Sequence, residues 1–159
     1  MFKAEKSPMQ AAIGDALKHL SDEGGGPFGA CIVKDGNILA VAHNTVLADN
    51  DPTCHAEVNA IRMAAKKLGD YDLSGCAIYS TTEPCPMCFS AIHWARIDTI
   101  VYGTTIQDVQ NLGFNELSVS NHEMKTRGGS SVEIHADFMR DECLELLQQW
   151  SQNTRGQTY

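Results

Sequence analysis

The chain has 159 residues, 43% hydrophobic and 20% charged, a balance that fits one globular domain with a proper core. Its net charge of −8, with only 12 Lys plus Arg, tilts away from a nucleic-acid partner, because phosphate binding rests on those cations. No apolar run reaches the length of a membrane span. The opening Met1-Phe2-Lys3-Ala4-Glu5-Lys6 lacks the apolar centre of a secretory signal, so a soluble cytoplasmic protein is the expectation.

In chain order, Ser7-Pro8 reads as a helix entry, a hydroxyl cap followed by proline at the first helical position. Met9, Ala12, Ile13, Ala16, Leu17 and Leu20 then recur at helical spacing, and Gly24-Gly25-Gly26-Pro27 ends the run. Residues 28–34 and 38–42 form a hairpin of two strands around the turn Asp35-Gly36-Asn37. Residues 43–53 are a polar loop. A second helix covers 54–68 and stops at Gly69. A buried-type strand follows at 76–80, a third helix from Pro84 to Ala95, and a short strand at 99–102. A short helix over 105–112, a weak strand over 132–135 and an amphipathic helix over 138–150 complete the pattern.

This alternation predicts one α/β domain over 1–159, a sheet with helices on both faces. The β-α-β steps imply parallel neighbours, and the hairpin implies an antiparallel edge. Residues 151–159 are polar and read as a tail, loose or held by a partner surface.

Six cysteines in a cytosolic chain do not suggest a disulfide framework. Cys31, Cys76 and Cys143 read as buried small hydrophobes. Cys85 and Cys88 stand three apart at a helix start, which puts both sulfurs on one side of its first turn and favours thiolate over thiol. His55 stands at the start of the preceding helix, and helices that follow parallel strands start at the same edge of the sheet. Three ligands can therefore meet at one ion. A fourth thiolate from Cys54 would close the metal, so Cys54 is assigned to packing or to the surroundings of the site.

Three protein ligands leave a place for water, the mark of a catalytic zinc site. Zinc makes water acidic enough to supply hydroxide near neutral pH, and Glu57 is then the natural proton carrier. A structural zinc knuckle is the bland alternative, but such sites normally take four protein ligands. A redox Cys-x-x-Cys pair explains neither His55 nor Glu57.

The order His55-Ala56-Glu57 followed by Pro84-Cys85-Pro86-Met87-Cys88 resembles the cytidine deaminase superfamily of zinc-dependent nucleobase deaminases. The stretch 25–116 is similar to bacterial guanine deaminases, through Gly25-Gly26-Pro27-Phe28-Gly29-Ala30, Asn44, Asn50-Asp51-Pro52-Thr53, Trp94-Ala95-Arg96 and Gly113-Phe114 among others. The resemblance implies a three-layer α/β/α fold on a five-stranded mixed sheet, one zinc per subunit and a homodimer. It implies purine contacts at Phe28 and Asn44, and Tyr159 as a C-terminal aromatic that closes the site; beside them, Trp94 reads as core or pocket wall at the end of its helix, and Phe114 as a pocket residue or as packing for its short loop. It assigns Glu116 as a second acid that assists the departing amine; some relatives carry two acids here, and Asn115 departs from that pattern.

The activity so implied is hydrolytic deamination of free guanine to xanthine and ammonia. Guanosine, cytosine or another aminated heterocycle is a close rival, because pocket shape decides among them. A tRNA adenosine deaminase shares the metal motif but needs an RNA-binding face. The alternative from another class is a non-catalytic, zinc-containing partner subunit, which has no chemical need for Glu57.

Overall fold

The computed structural model describes residues 2–21, 24–153 and 157–159. Its elements are α1 (Lys6–Lys18), β1 (Gly29–Lys34), β2 (Asn37–His43), α2 (Val46–Asp49), α3 (Ala56–Leu68), β3 (Cys76–Thr82), α4 (Pro86–Trp94), β4 (Thr99–Thr104), α5 (Ile106–Gln110), α6 (Asn121–Gly128), β5 (Glu133–His135) and α7 (Arg140–Asn153). The strands form one five-stranded sheet in the order β2-β1-β3-β4-β5. β1 is antiparallel to both β2 and β3, while β3, β4 and β5 run parallel. The sheet is therefore mixed, with the hairpin strand β2 at its edge, as the sequence pattern implies.

Period-two alternation sends two rows of side chains to opposite faces. Ile32, Ile78 and Ile100 are register partners on one face, where they pack against Ala56, Ala60 and Ala64 of α3 and Phe89 and Ile92 of α4. Cys31, Tyr79 and Val101 form the other row, covered by Met9 and Ala12 of α1 and Cys143 of α7. β3 and β4 are buried along their whole length, as strands covered on both faces must be. The result is a three-layer α/β/α fold. Small residues set the layer spacing: a methyl group at Gly29 would run into the Ala12 carbonyl, so α1 can lie this close only over a glycine. Among the described residues no helix is long and apolar enough to cross a membrane.

Some elements differ from the sequence expectation. α1 starts at Lys6, with Glu5 rather than Ser7 at the N-cap and no side-chain cap bond. The Glu5 N–H instead donates to the buried Tyr79 hydroxyl at 3.0 Å. Pro8 still sits in the first turn, where a missing donor costs little. The polar loop over 43–53 contains the single turn α2, and the segment before β5 contains a whole helix, α6. The supposed tail is only partly one. α7 continues to Asn153, residues 154–156 lie outside the described residues, and Tyr159 packs beside Phe114.

Asp108 joins two elements on the way to the site. It closes a capping box with Thr105 at the start of α5 and accepts a two-pronged bond from Arg140, at 2.8 and 3.0 Å. That guanidinium, helped by the Thr105 donors, holds the Asp108 carboxyl below its ordinary value. A depressed carboxyl contributes stability above its unfolded pKa and loses it as pH falls through the folded one. Asp108→Ala is expected to lower the free energy of urea unfolding by about 1–2 kcal/mol at neutral pH, since a cap and a charge-assisted fork go together. The difference from wild type should shrink in acid, below the ordinary aspartate range.

Candidate active site

β2 and β3 point the same way, with β1 between them, so the helices that follow them, α3 and α4, begin at the same end of the sheet. The residue at each N-cap is a candidate ligand: His55 for α3 and Cys85 for α4, both in extended backbone. Pro86 occupies the first helical position of α4, and Cys88 lies within its first turn. His55 Nδ1 is 3.6 Å from Cys85 Sγ and 3.5 Å from Cys88 Sγ. The three donor atoms all lie within 4.8 Å of one another.

The electrostatics of this trio call for a cation. Cys85 is held down to about 4, first by the hydrogen bond from Cys88, then by the His55 imidazole. Cys88 is pushed up, first by the proton it shares with Cys85 and then by burial. For His55, burial favours the neutral ring, yet Cys85 and the neighbouring carboxylates outweigh it and the net shift is upward. A thiolate, a second thiol, an imidazole and two carboxyls thus share one space. One divalent ion could take the imidazole and both sulfurs, and this donor set suits zinc. Cys54 is not part of the trio; its sulfur accepts a bond from Arg62 at 3.3 Å.

Glu57, one residue inside α3, is only 6% exposed and lines the cavity beside the trio. Burial pushes its carboxyl up, against the pull of His55. Ser80 of β3 holds it: the single hydroxyl proton lies between the Thr82 carbonyl at 2.6 Å and Glu57 Oε1 at 3.2 Å. Glu116 lines the same cavity, and burial, then the Cys85 charge, push it up to about 7. Two carboxyls whose protonated forms are favoured by burial therefore face one space, which suits general acid–base work.

The cavity measures about 300 Å³. Phe28, Asn44, Phe114 and Tyr159 all line it. Phe114 stands edge-on to Phe28 at 5.1 Å and to Tyr159 at 5.3 Å. Asn44 is 3% exposed; its Oδ1 accepts from Val46 N at 3.1 Å, while its buried Nδ2 has no hydrogen-bond partner among the described residues. An unsatisfied buried donor of this kind costs free energy unless a ligand takes it. Gly25 makes room for Asn44, since a Cβ there would collide with both Asn44 oxygens. Tyr159 comes back to the same loop, its hydroxyl accepting from Gly26 N at 3.3 Å.

Trp94 corrects the sequence reading. At the last position of α4 it is 78% exposed and does not line the cavity. The helix buries Cys88, Phe89 and Ile92, which turns position 94 outward. Sequence reasoning also passed over Ser80 and Glu83. Glu83 is 7% exposed, with Oε2 accepting from Ile106 N at 3.2 Å and Oε1 from Asn121 N at 2.8 Å. It anchors the starts of α5 and α6 beside the cysteine loop. An acid inside an otherwise apolar and hydroxyl-bearing run, directly before Pro84, was the available signal.

Comparison with known proteins agrees with this geometry. Residues 3–104 match the family model described as the cytidine and deoxycytidylate deaminase zinc-binding region. A guanine deaminase of Bacillus subtilis (strain 168) is 53% identical over 92 residues, 58% of this chain and 59% of that protein, so the chain spans about three fifths of this relative. A tRNA-specific adenosine deaminase of Buchnera aphidicola subsp. Baizongia pistaciae (strain Bp) is 32% identical over 156 residues, 98% of this chain and 93% of that protein. A solved guanine deaminase structure from Nitrosomonas europaea superposes with a TM-score of 0.85 at 25% identity, covering 96% of this chain and 87% of the other. Fold, metal-ligand order and family match converge: the chain belongs to the cytidine and deoxycytidylate deaminase family, whose cofactor is zinc.

Proposed function

We propose that this deaminase acts on a free purine base, converting guanine and water to xanthine and ammonia. The observation that carries the reading is the character of the cavity. It is walled by Phe28, Phe114 and Tyr159, it holds the Asn44 amide unpaired among the described residues, and no Lys or Arg is among the described residues lining it. A flat, uncharged heterocycle matches aromatic walls and a few fixed polar groups. A strand of nucleic acid would ask for cations along its phosphates. The 53% identity to a guanine deaminase supports the same choice.

His55, Cys85 and Cys88 are the residues that would hold the zinc, which when bound supplies the Lewis acidity that makes water a usable nucleophile at neutral pH. Glu57 accepts a proton from the attacking water and returns it to the ring nitrogen beside the reacting carbon. Ser80 fixes the carboxyl for that transfer. Glu116, poised near neutrality, is the second proton donor and serves the departing amino group. Asn44 offers its unpaired N–H bond to an acceptor on the base. Tyr159 completes the cavity wall. We read the working protein as a cytoplasmic homodimer with one catalytic zinc per subunit.

A second reading, deamination of adenosine in tRNA, is favoured by one observation: the match to a tRNA-specific enzyme runs along 98% of the chain. Ammonia release from zinc-loaded protein separates the two. Guanine is expected to be turned over, with guanosine, cytosine, adenine and a tRNA anticodon stem-loop left unchanged. Turnover of the stem-loop alone would move the protein to the RNA branch, and silence on the whole panel with zinc bound would sink the guanine assignment.

Two variants test the division of labour. Glu57→Gln is expected to retain zinc and lose turnover by roughly 10²–10⁴-fold, the usual contribution of a positioned acid–base group. A normal rate in that variant would remove Glu57 from the mechanism. Glu116→Gln is expected to lower kcat with metal content unchanged, and an unaltered rate would leave Glu116 a wall residue only.

A further inference from the structure

Far less conspicuous than the cysteine centre is a second convergence of metal-ligating side chains. Asp15 and His19 are one helical turn apart at the end of α1, so they project from the same side. His43 is the last residue of the edge strand β2. Its Nδ1 lies 2.8 Å from Asp15 Oδ2, and His19 Nε2 lies 4.0 Å from Asp15 Oδ1. The two imidazoles stack face to face, with centroids 3.6 Å apart and planes 11° from parallel. One ligand atom from each of the three residues falls within 4.8 Å of the other two.

We propose that Asp15, His19 and His43 form a second cation site, built for a borderline divalent transition metal such as Zn²⁺ or Ni²⁺. The donor set decides the class: two imidazole nitrogens and one carboxylate oxygen suit these ions and serve Mg²⁺ or Ca²⁺ poorly. Ligands about 2.0–2.2 Å from one ion stand roughly 3.3–3.6 Å apart, so the hydrogen-bonded His43–Asp15 pair at 2.8 Å has to open and the His19–Asp15 pair at 4.0 Å has to close. Reaching that spacing takes small rotations, chiefly an opening of the stack, because each ring must bring a lone pair toward the ion in its own plane. The side chains are 24–36% exposed, which leaves them room to do so. Asp15 and His43 also line a shallow surface groove, an entry path for a hydrated ion.

The placement gives the site a structural task. His43 immediately precedes Asn44, and its carbonyl accepts from Asn59 of α3 at 3.0 Å. An ion here would clamp the end of α1 to the strand end that delivers Asn44 to the cavity. It would do so without touching the cysteine centre, so the site stands apart from the deamination reading.

The test counts ions in the zinc-loaded chain. After dialysis against micromolar Zn²⁺, elemental analysis is expected to find two ions per wild-type chain and one in His19→Gln or His43→Gln. Cys85→Ser/Cys88→Ser is expected to keep one. In wild type, Ni²⁺ added after the first zinc should raise Tm, and that rise should vanish in both histidine variants. One ion per wild-type chain, or a second ion that persists in both histidine variants, would overturn the proposal.

Discussion

The meeting of two helix N-termini over one sheet edge is the constraint on which the site depends. β2 and β3 run the same way only because β1 lies antiparallel between them. The helices that follow are then obliged to start side by side, and their N-caps become neighbours. The chain spends those two positions on His55 and Cys85, and the first turn of α4 on Cys88. Free backbone N–H groups and the helix dipole at that point favour negative charge, and the Cys85 thiolate is stabilised before any ion arrives. A metal centre that would otherwise require several loops is reached with three residues and two turns of regular structure.

The cavity follows from the same arrangement. Glu57 is buried because it lies one residue inside α3, facing the sheet, and Ser80 is there to meet it because β3 continues to Thr82. The aromatic wall comes from elsewhere, with Phe28 ahead of β1 and Phe114 after α5. Glu57 thus sits on a rigid element, while Glu116 and the aromatic groups that shape the space sit on connections. Such a division lets one zinc chemistry serve different amines by changing loops alone.

The convergence of the candidate metal ligands, with Glu57 beside them, was legible in the sequence, because His-x-Glu and Cys-x-x-Cys impose their geometry locally, through helix starts. The sheet was legible too, since β3 and β4 carry short apolar, strand-forming runs, Cys76 to Tyr79 and Ile100 to Tyr102. α6 was not. Its sequence, Asn121 to Gly128, has no apolar stripe, and Asn121 is its buried residue. Its one signal was the capping box Ser120-Asn121-His122-Glu123, which forms as the spacing allows. Trp94 was misplaced because burial of an aromatic is a tendency, whereas the phase of α4 is fixed by Cys88, Phe89 and Ile92. Ser80 escaped notice because a hydroxyl inside a strand advertises nothing until its partner across the layer is known.

The Glu83 carboxylate has a consequence for how this chain can vary. Each of its oxygens holds the leading amide of a different helix, and the Asn121 side chain returns a bond to the Pro84 carbonyl at 2.5 Å. The segment around α6, whose exterior is polar and loosely specified, is thereby riveted to the turn that presents the sulfurs. Its outward positions are at liberty to wander over evolutionary time, but the buried position 121 is not: a careless exchange there would remove the side-chain bond to the Pro84 carbonyl and loosen the turn that carries the thiols.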